Sequence, residues 1–364
     1  MKKTRVLVAE DSATIRKYLV DVLAKSEGFE VVGEAENGKQ AIELCEATHP
    51  DVITMDIVMP VMSGLSATEY IMAYCPTPIL IVSASMNRRE SMQTYDALGA
   101  GAVDVLEKET LSADPAAWEA KLTSALRVAS RVKVITRSRP RARTNGAREM
   151  GESLRPSTSD RKINSNSQID LIAIGASTGG PAAVAEVLRS LPPTFRIPLV
   201  LVIHISSLFA RSLVDWLNTI SPIPVAFATD GATIPPVGTP AVIFAPADKH
   251  LVVKNGRLAL HSGSERNYCR PSVDVLFESV GAELGPRAAL CLLTGMGRDG
   301  AFGLLAAKQA GSITIAQDEG SSTVFGMPGE AVKLGAADYV LPLNQISPFL
   351  QELANSNAPR FQRA

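Results

Sequence analysis

The sequence predicts two α/β domains, each with a doubly wound parallel sheet, joined by a polar linker. In both halves of the chain, short apolar runs alternate with amphipathic stretches, and residues 131–168 interrupt this alternation. Strands that alternate with helices form parallel sheets covered by helices on both faces. A chain of 364 residues has room for two domains, because a domain usually holds roughly 100 to 200 residues. We therefore predict a first domain over residues 1–130 and a second over residues 169–354.

The first domain is predicted to contain five strands and five helices. Its β-rich runs are, in order, RVLVA, FEVVGEA, DVITM, PILIVSA and AVDVL, with amphipathic stretches between them. This alternation predicts an open parallel sheet. After it, residues 131–168 are rich in Arg, Ser, Asn and Pro and poor in large apolar side chains, which is the composition of a flexible linker.

The second domain resumes the alternation with the apolar runs DLIAIGA, IPLVLVIH, PAVIFAP, AALCLLTG and SITIAQ. Between the third and the fourth run, HLVVKNGRLALHS places Asn255 and Gly256 between two alternating segments. Asn-Gly in such a setting is a strong signal for a β-hairpin with a two-residue turn. We predict a parallel α/β domain with one antiparallel hairpin.

Composition and charge exclude several classes of protein. The formal net charge is -1, so the overall charge attracts neither nucleic acid nor an anionic membrane. Acidic residues break the first apolar run, unlike a secretory signal, and no apolar stretch is long enough to span a bilayer. We expect a cytoplasmic protein with no nucleic-acid partner and no membrane insertion. Buried, reduced thiols are predicted for Cys45, Cys75, Cys269 and Cys291, because without a CxxC pair they indicate neither a zinc site nor disulfides.

Polar side chains end four strands of the first domain. Glu10 and Asp11 end the first strand, Asp56 the third and Ser83 the fourth, and Lys108 lies just beyond the fifth. The carboxyl ends of parallel strands meet at one edge of the sheet. Three carboxylates there would repel one another, and Mg²⁺ bound through oxygen would relieve this repulsion. The pattern predicts Asp56 as a nucleophile toward a phosphoryl group, Lys108 as its neutralising cation and Ser83 as a hydroxyl that follows the phosphate.

These residues closely resemble the receiver domains of two-component response regulators. The resemblance spans about residues 4–130 and is carried by VLVAEDSATIRKYL, DVITMDIVMPVMSGL and PILIVSAS together with Lys108. It implies that Glu10 and Asp11 are the metal-binding acidic pair and that Asp56 accepts the phosphoryl group. It further implies that Ser83 is the switch hydroxyl, that Lys108 is the invariant lysine, and that a sensor histidine kinase is the phosphodonor.

Three positions depart from the usual receiver pattern. Glu10 is longer than the usual aspartate, Ser63 stands where Asp often precedes Gly64, and Glu109 takes the place of the typical proline. We expect the longer acid at position 10 to bear on metal geometry and on the lifetime of the phosphoryl group.

Ser177 lies at the apex of a glycine-rich turn in the second domain. Residues 175–179, GASTG, fit the pattern G-x-S-x-G, which puts a hydroxyl at the tip of a strand-to-helix turn beside backbone N–H groups. We predict that the helix begins at Pro181, and its N-terminus would stabilise an oxyanion. Such turns also bind nucleotide phosphates, so the motif alone leaves a nucleophile and a phosphate cradle equally open.

Two further strand ends favour the nucleophile. His204 ends the strand IPLVLVI, and Asp299 lies in the glycine-rich loop LLTGMGRDG after another apolar strand. A serine nucleophile needs a base and a group that orients this base, whereas a phosphate cradle needs neither. The order Ser, His, Asp differs from the order Ser, Asp, His of the α/β-hydrolases, so a different fold is indicated.

The second domain closely resembles the catalytic domain of the chemotaxis protein-glutamate methylesterases and glutaminases. The motifs LIAIGASTGG, APADKH, RPSVDVLFESV, LLTGMGRDG and TIAQDEGSSTVFGMP carry the resemblance over about residues 169–352, and a preceding receiver is also this family's arrangement. It implies phosphorylation-regulated demethylation of glutamate methyl esters, and deamidation of glutamines, in methyl-accepting chemotaxis receptors. Ester hydrolysis would need no cofactor, and Mg²⁺ would serve the receiver alone. By matching, Ser177 is the nucleophile, His204 the general base and Asp299 its orienting group, and the oxyanion site and cleft are lined by Thr178, Gly179 and Met296.

Other features bear on the partner and on rival functions. Residues 205–208, ISSL, replace the Met-Pro-Pro-Gly-like stretch common in this family, and we expect this change to affect the receptor partner more than the chemistry. Arg266 and Arg270 fit contacts to acidic substrate groups and surface salt bridges equally well. The alternative function is a receptor-binding adaptor, against which the intact Ser-His-Asp set argues. A DNA-binding regulator lacks support, because no helix-turn-helix pattern follows the linker.

Overall fold

The computed structural model describes residues 2–84, 88–108, 114–132, 134 and 168–356. It divides the chain into two compact units, Met1–Ser153 and Leu154–Ala364. The predicted linker at residues 131–168 and the departure at Glu109 fall largely or wholly outside the described residues. Every helix in the described ranges is too short or too polar to cross a membrane.

The first unit contains a five-stranded parallel sheet with strands and helices in strict alternation, as predicted. Its elements are β1 (Thr4–Ala9), α1 (Ala13–Lys25), β2 (Phe29–Ala35), α2 (Gly38–Thr48), β3 (Val52–Met55), α3 (Gly64–Tyr74), β4 (Ile79–Ser83), α4 (Arg88–Ala100), β5 (Asp104–Glu107) and α5 (Pro115–Ala129). The strand order is β2-β1-β3-β4-β5. Because the inner strands β1, β3 and β4 are covered on both faces, their residues form nearly continuous apolar runs.

Ser63, which stands where receiver domains often have Asp, fits the fold at the start of α3. It is the N-cap of α3, and its hydroxyl accepts a hydrogen bond of 3.2 Å from the N–H of Ser66. Ser and Asp are comparably good N-caps. The serine therefore preserves the start of α3.

The second unit contains a larger parallel sheet and a separate hairpin. Its elements are β6 (Leu171–Ala176), α6 (Gly180–Arg189), β7 (Leu199–Ile203), α7 (Ser207–Ile220), β8 (Val225–Phe227), β9 (Val242–Phe244), β10 (His250–Lys254), β11 (Arg257–His261), α8 (Val273–Leu284), a 3₁₀ turn (Gly285–Arg287), β12 (Ala288–Leu292), α9 (Ala301–Gln309), β13 (Ile313–Gln317), α10 (Met327–Lys333), β14 (Tyr339–Leu341) and α11 (Leu343–Ser356). The parallel sheet has seven strands in the order β14-β13-β12-β6-β7-β9-β8.

The hairpin of β10 and β11 confirms the prediction made from Asn255 and Gly256. Lys254 pairs with Arg257, so Asn255 and Gly256 between them form the turn. Asn255 has φ 52° and Gly256 has φ 69°. A type I′ turn needs positive φ at both central residues, which is why Asn-Gly is the favoured pair.

The order of the central strands determines where a site can form. From β6 the chain proceeds outward through β7 to one edge of the sheet, whereas β12, β13 and β14 lie on the other side of β6. The change of direction between β6 and β12 leaves a crevice at the carboxyl ends of these strands, where open α/β sheets bind their ligands.

Candidate functional site

The candidate site of the second unit lies at the carboxyl ends of β12, β6 and β7. Ser177 follows β6, and the N–H of His204, directly after β7, donates to the carbonyl of Ala176 at 3.1 Å. The N–H of Ser177 donates to the carbonyl of Thr294, in the loop after β12, at 3.0 Å. The three loops are therefore joined by main-chain hydrogen bonds, and the serine lies between the loops that carry the other two predicted residues.

Asp299 and His204 are in direct contact. The distance from His204 Nε2 to Asp299 Oδ2 is 2.9 Å, although the residues are 95 positions apart. The Asp299 carboxylate is buried and accepts further hydrogen bonds from the Ser272 hydroxyl at 2.8 Å, from Asn267 Nδ2 at 2.9 Å and from the Val273 N–H at 2.6 Å. This network fixes both the position and the ionised state of the carboxylate.

The pKa values of the pair follow from this contact. Burial disfavours the imidazolium, but hydrogen bonds to Asp299 and Cys269 outweigh burial and raise the pKa of His204 to about 9. Burial alone would raise the pKa of Asp299, yet hydrogen bonds from His204, Asn267 and Val273 hold it below its usual range. The pair is therefore an ionised carboxylate beside a strongly basic imidazole, and Nε2 is the nitrogen that faces the carboxylate.

The other imidazole nitrogen of His204, Nδ1, does not contact Asp299 and is therefore the nitrogen that can exchange a proton with another group. Its neighbour is the Sγ of Cys269, 3.7 Å away. Within the described ranges, no hydrogen bond joins the Ser177 hydroxyl to the imidazole. Catalytic hydrogen bonds of this kind are often long before substrate binds. The structure thus brings His204 and Asp299 together and places Ser177 at the end of the neighbouring strand.

The turn after Ser177 presents backbone N–H groups at the start of α6. Gly179 is the N-cap of α6, which begins at Gly180, one residue before the predicted start at Pro181. The carbonyl of Thr178 accepts a hydrogen bond of 3.0 Å from the Thr294 hydroxyl, which fixes the turn. In the described part of the chain, the N–H groups of Thr178 and Gly179 have no acceptor. Together with the helix N-terminus they form a suitable environment for an oxyanion.

Gly295, in the loop after β12, borders the serine. The side chain of Met296, the next residue, is 51% exposed, and its place in the cleft stays a prediction. A Cβ atom at Gly295 would lie 2.8 Å from the Cβ of Ser177 and 2.3 Å from the Sδ of Met327. Only glycine fits there, and no sequence pattern indicates the importance of this position.

Two residues behind Asp299 were also missed. The N–H of Ser272 donates to Nδ1 of the buried His250 at 3.2 Å, and Nε2 of His250 donates to the carbonyl of Ser264 at 3.0 Å. Burial lowers the pKa of His250, in agreement with the neutral ring that this bonding requires. His250 and Ser272 are contained in APADKH and RPSVDVLFESV, but no local pattern indicates a partner 22 or 27 residues away.

The two arginines singled out in the sequence have partners inside the unit. The Arg266 guanidinium contacts both carboxylate oxygens of Glu278, at 2.7 and 2.6 Å. Nη1 of Arg270 donates to the carbonyl of Gly263 at 3.0 Å. These contacts favour the structural role over substrate binding, and most clearly for Arg266.

In the first unit, Lys108 joins two of the predicted carboxylates. Its Nζ lies 2.7 Å from Glu10 Oε2 and 2.8 Å from Asp56 Oδ2, and the other Asp56 oxygen accepts from the Ile57 N–H at 2.8 Å. The Lys108 N–H donates to the carbonyl of the buried Ser83 at 2.9 Å. The structure therefore places the predicted residues at one edge of the sheet.

The acidic cluster fits a hard divalent cation. Oxygen atoms of Glu10, Asp11 and Asp56 lie within 4.8 Å of one another. Burial raises the pKa of Glu10 and of Asp56, and the Lys108 ammonium opposes this rise. Carboxylate oxygens are the ligands that Mg²⁺ prefers, and a cation would relieve the cost of burying them.

Comparisons with known proteins place the chain in a family. The family model described as CheB methylesterase matches residues 172–350, and the response regulator receiver domain matches residues 6–114. The chain is 42% identical, over 96% of each chain, to protein-glutamate methylesterase/protein-glutamine glutaminase 2 of Anaeromyxobacter dehalogenans. It is 40% identical to the protein of the same name, numbered 1, of Syntrophus aciditrophicus, over 98% of this chain and 99% of that one.

Among solved structures, the CheB methylesterase catalytic domain of Thermotoga maritima is 36% identical and matches with a TM-score of 0.48, over 51% of this chain and 99% of that one. The full-length similarity to the curated relatives covers both units of the chain. The chain therefore belongs to the protein-glutamate methylesterase/protein-glutamine glutaminase family.

Proposed function

We propose that the protein hydrolyses glutamate methyl esters of methyl-accepting chemotaxis receptors, and deamidates specific glutamines, under the control of receiver phosphorylation. The observation that carries this proposal is the 2.9 Å contact between Asp299 and His204 at the strand end beside Ser177. A phosphate cradle would need neither residue, whereas a serine nucleophile needs both.

His204 is the general base. Its Nδ1 takes the hydroxyl proton of Ser177 as Oγ attacks the γ-carbonyl carbon of the ester. The buried Asp299 carboxylate accepts from Nε2, which selects the tautomer with Nδ1 free and stabilises the imidazolium that forms. The imidazolium then returns its proton to the departing methoxide, so methanol leaves and an acyl-serine remains. Water, activated by the same imidazole, releases the glutamate side chain and restores the serine.

The oxyanion of each tetrahedral intermediate is stabilised by backbone N–H groups. The N–H groups of Thr178 and Gly179 at the start of α6 are the donors that we assign to this role. A glutamine side chain follows the same route, with ammonia as the leaving group. One oxyanion donor is typically worth about 10²- to 10³-fold in rate.

The receiver unit supplies regulation. We assign Asp56 as the phosphoacceptor, Lys108 as the cation beside it and Ser83 as the hydroxyl that responds to the phosphoryl group. Glu10, Asp11 and Asp56 would hold Mg²⁺, which supplies charge neutralisation for phosphoryl transfer. A cytoplasmic chemotaxis histidine kinase is the phosphodonor in this proposal.

Methanol release from a methylated receptor cytoplasmic domain tests the proposal. We expect release by the full chain, an increase with a small phosphodonor and Mg²⁺, and loss in Ser177→Ala by at least the 10²- to 10⁴-fold that a positioned base contributes. Ser322→Ala is the control. Receptor binding without methanol release, both with and without the phosphodonor, would instead favour the receptor-binding adaptor.

A further inference from the structure

The contact between His204 and Cys269 combines the two side chains that bind zinc most often in proteins. One donor atom from each of His204, Cys269 and Asp299 lies within 4.8 Å of the other two. The thiol and the imidazole are 65 residues apart in the chain, so no CxxC or similar motif indicates this cluster. We propose that His204 Nδ1 and Cys269 Sγ bind Zn²⁺, and that this binding reversibly inhibits the enzyme.

The distance between the two donors fits such an ion. Zinc binds imidazole nitrogen at about 2.0–2.1 Å and thiolate sulfur at about 2.3 Å, so at a tetrahedral angle the two donors lie roughly 3.6 Å apart. The observed distance from Nδ1 to Sγ is 3.7 Å. The separation of the two donors therefore matches the one that a bound zinc ion requires.

Asp299 supports the ion through the imidazole. Ligating histidines usually donate their other ring N–H to a carboxylate, which fixes the ring and strengthens the ligand. The contact from Nε2 to Asp299 at 2.9 Å has this form, and Asn267 and Ser272 hold the carboxylate in turn. The arrangement that prepares His204 for catalysis thus also prepares it for a metal.

Cys269 is held in its place by its own loop. Its N–H donates to the carbonyl of Arg266 at 2.9 Å, and the Arg266 N–H donates to the Cys269 carbonyl at 3.2 Å. The intervening Asn267 and Tyr268 both have positive φ, 53° and 61°. This tight turn directs the thiol toward the imidazole, and the Cys269 side chain is only partly buried. An ion can therefore reach it.

The two units select different ions. The first unit offers carboxylates to a hard cation such as Mg²⁺, whereas sulfur and imidazole nitrogen favour Zn²⁺. Zinc would occupy the lone pair on Nδ1 that the base uses, and the thiol gives up its proton to the solvent when it binds. The inhibition rests on the proposed esterase function, but the binding of the metal does not.

The experiment uses Co²⁺ as a spectroscopic probe for Zn²⁺ with the full chain in excess Mg²⁺, which saturates the carboxylate site. We expect thiolate-to-cobalt charge-transfer absorption that saturates at one equivalent and disappears when Zn²⁺ is added. It should persist in Cys75→Ser, the matched control, and vanish in Cys269→Ser and in Cys269→Ala. Asp299→Asn should weaken binding by about 10- to 100-fold. Near-ultraviolet circular dichroism establishes that each variant is folded.

The same proteins then test inhibition. Zn²⁺ should reduce methanol release by the unmodified chain, a chelator should restore it, and the inhibition constant should rise at least tenfold in Cys269→Ser. Absence of the absorption in the unmodified chain, or its persistence in both Cys269 variants, overturns the site. Equal inhibition of the unmodified chain and of Cys269→Ser overturns the regulation. If no receptor yields methanol, the cobalt absorption still decides whether the site exists.

Discussion

Both oxygens of the Asp299 carboxylate accept hydrogen bonds, from Ser272 and Asn267 on one side and from Val273 and His204 on the other. A buried carboxylate is costly unless it is paired and hydrogen-bonded. In the proposed mechanism these contacts also orient the base, because they hold the carboxylate against Nε2 of His204 and leave Nδ1 free.

The pKa of about 9 for His204 predicts how hydrolysis depends on pH. The base must be neutral before it can accept the serine proton, so kcat/KM should increase with pH and level off above about 9. The pH–rate profile of methanol release measures this. A profile that levels off near 6.5, the ordinary value for His, would mean that Asp299 does not stabilise the imidazolium in solution.

The same shift predicts a pH dependence of stability. The folded-state pKa of His204 lies above the unfolded value of 6.5, so its stabilising contribution is complete below pH 6.5 and is lost as pH rises through about 9. Unfolding in urea at several pH values should show this loss in the full chain. It should be absent in His204→Gln and retained in His261→Gln, a control on the exposed end of the hairpin.

We expect His250 to act as a positioning residue for Asp299, because it accepts from the Ser272 N–H while the Ser272 hydroxyl donates to Asp299. His250→Ala leaves this buried N–H without an acceptor, at a cost of about 1–3 kcal/mol. We expect kcat to fall about tenfold with KM unchanged. His250→Asn should restore much of the rate, since its amide oxygen replaces Nδ1. Equal loss in both variants would indicate a packing role only.

At the scale of elements, the sequence pattern predicted those strands and turns whose conformation depends on neighbouring residues in the chain. The alternating apolar runs predicted both parallel sheets, and the Asn255-Gly256 pair predicted the hairpin. Strands β8 and β14 were missed because each has three residues, lies at an edge and depends on its neighbour for its conformation. The contacts of His250 and Ser272 near Asp299 were not predicted for a similar reason, because contacts between distant segments produce no periodic pattern in the sequence. The strand-end positions of the Ser-His-Asp set were predictable because parallel strands align their carboxyl ends.

Gly295 shows how closely the loop after β12 approaches the loop after β6. Gly295→Ala would force a Cβ against Ser177 and Met327, and overpacking of this kind costs typically about 1–3 kcal/mol. We expect a lower unfolding midpoint and a fall in kcat, because the displaced residue, Ser177, is the proposed nucleophile. Gly320→Ala, whose nearest neighbour would be 3.6 Å away, is the control. An unchanged kcat would show that Ser177 tolerates the displacement.

At the scale of the whole molecule, both α/β units have a site at the carboxyl ends of their strands, but the charges at the two sites are arranged differently. In the first unit the Lys108 ammonium balances Glu10 and Asp56, so a phosphoryl group on Asp56 changes a finely balanced local charge. In the second unit the Asp299 carboxylate is buried, and its hydrogen bonds with His204, Ser272 and Val273 hold it in place. In the proposed function, regulation therefore belongs to the unit whose local charge a phosphoryl group would alter.

Asp56→Asn should remove the response to phosphorylation without disturbing the second unit. We expect methanol release at the basal rate, with no increase from a phosphodonor and Mg²⁺, because the amide cannot form an acyl phosphate. Asp51→Asn is the control, since Asp51 accepts from the Arg5 N–H before β3 and lies outside the acidic cluster. Stimulation of Asp56→Asn equal to that of the unmodified chain would mean that another residue accepts the phosphoryl group.

Removal of residues 1–153 tests whether the receiver restrains the enzyme. The division of the chain at Ser153 leaves the seven-stranded sheet and its core intact. If the unphosphorylated receiver limits access to Ser177, basal methanol release by residues 154–364 should exceed that of the full chain and should ignore the phosphodonor. A tenfold increase corresponds to about 1.4 kcal/mol of differential stability, which one phosphoryl group can supply. Basal release equal to that of the full chain would contradict restraint of the enzyme by the unphosphorylated receiver.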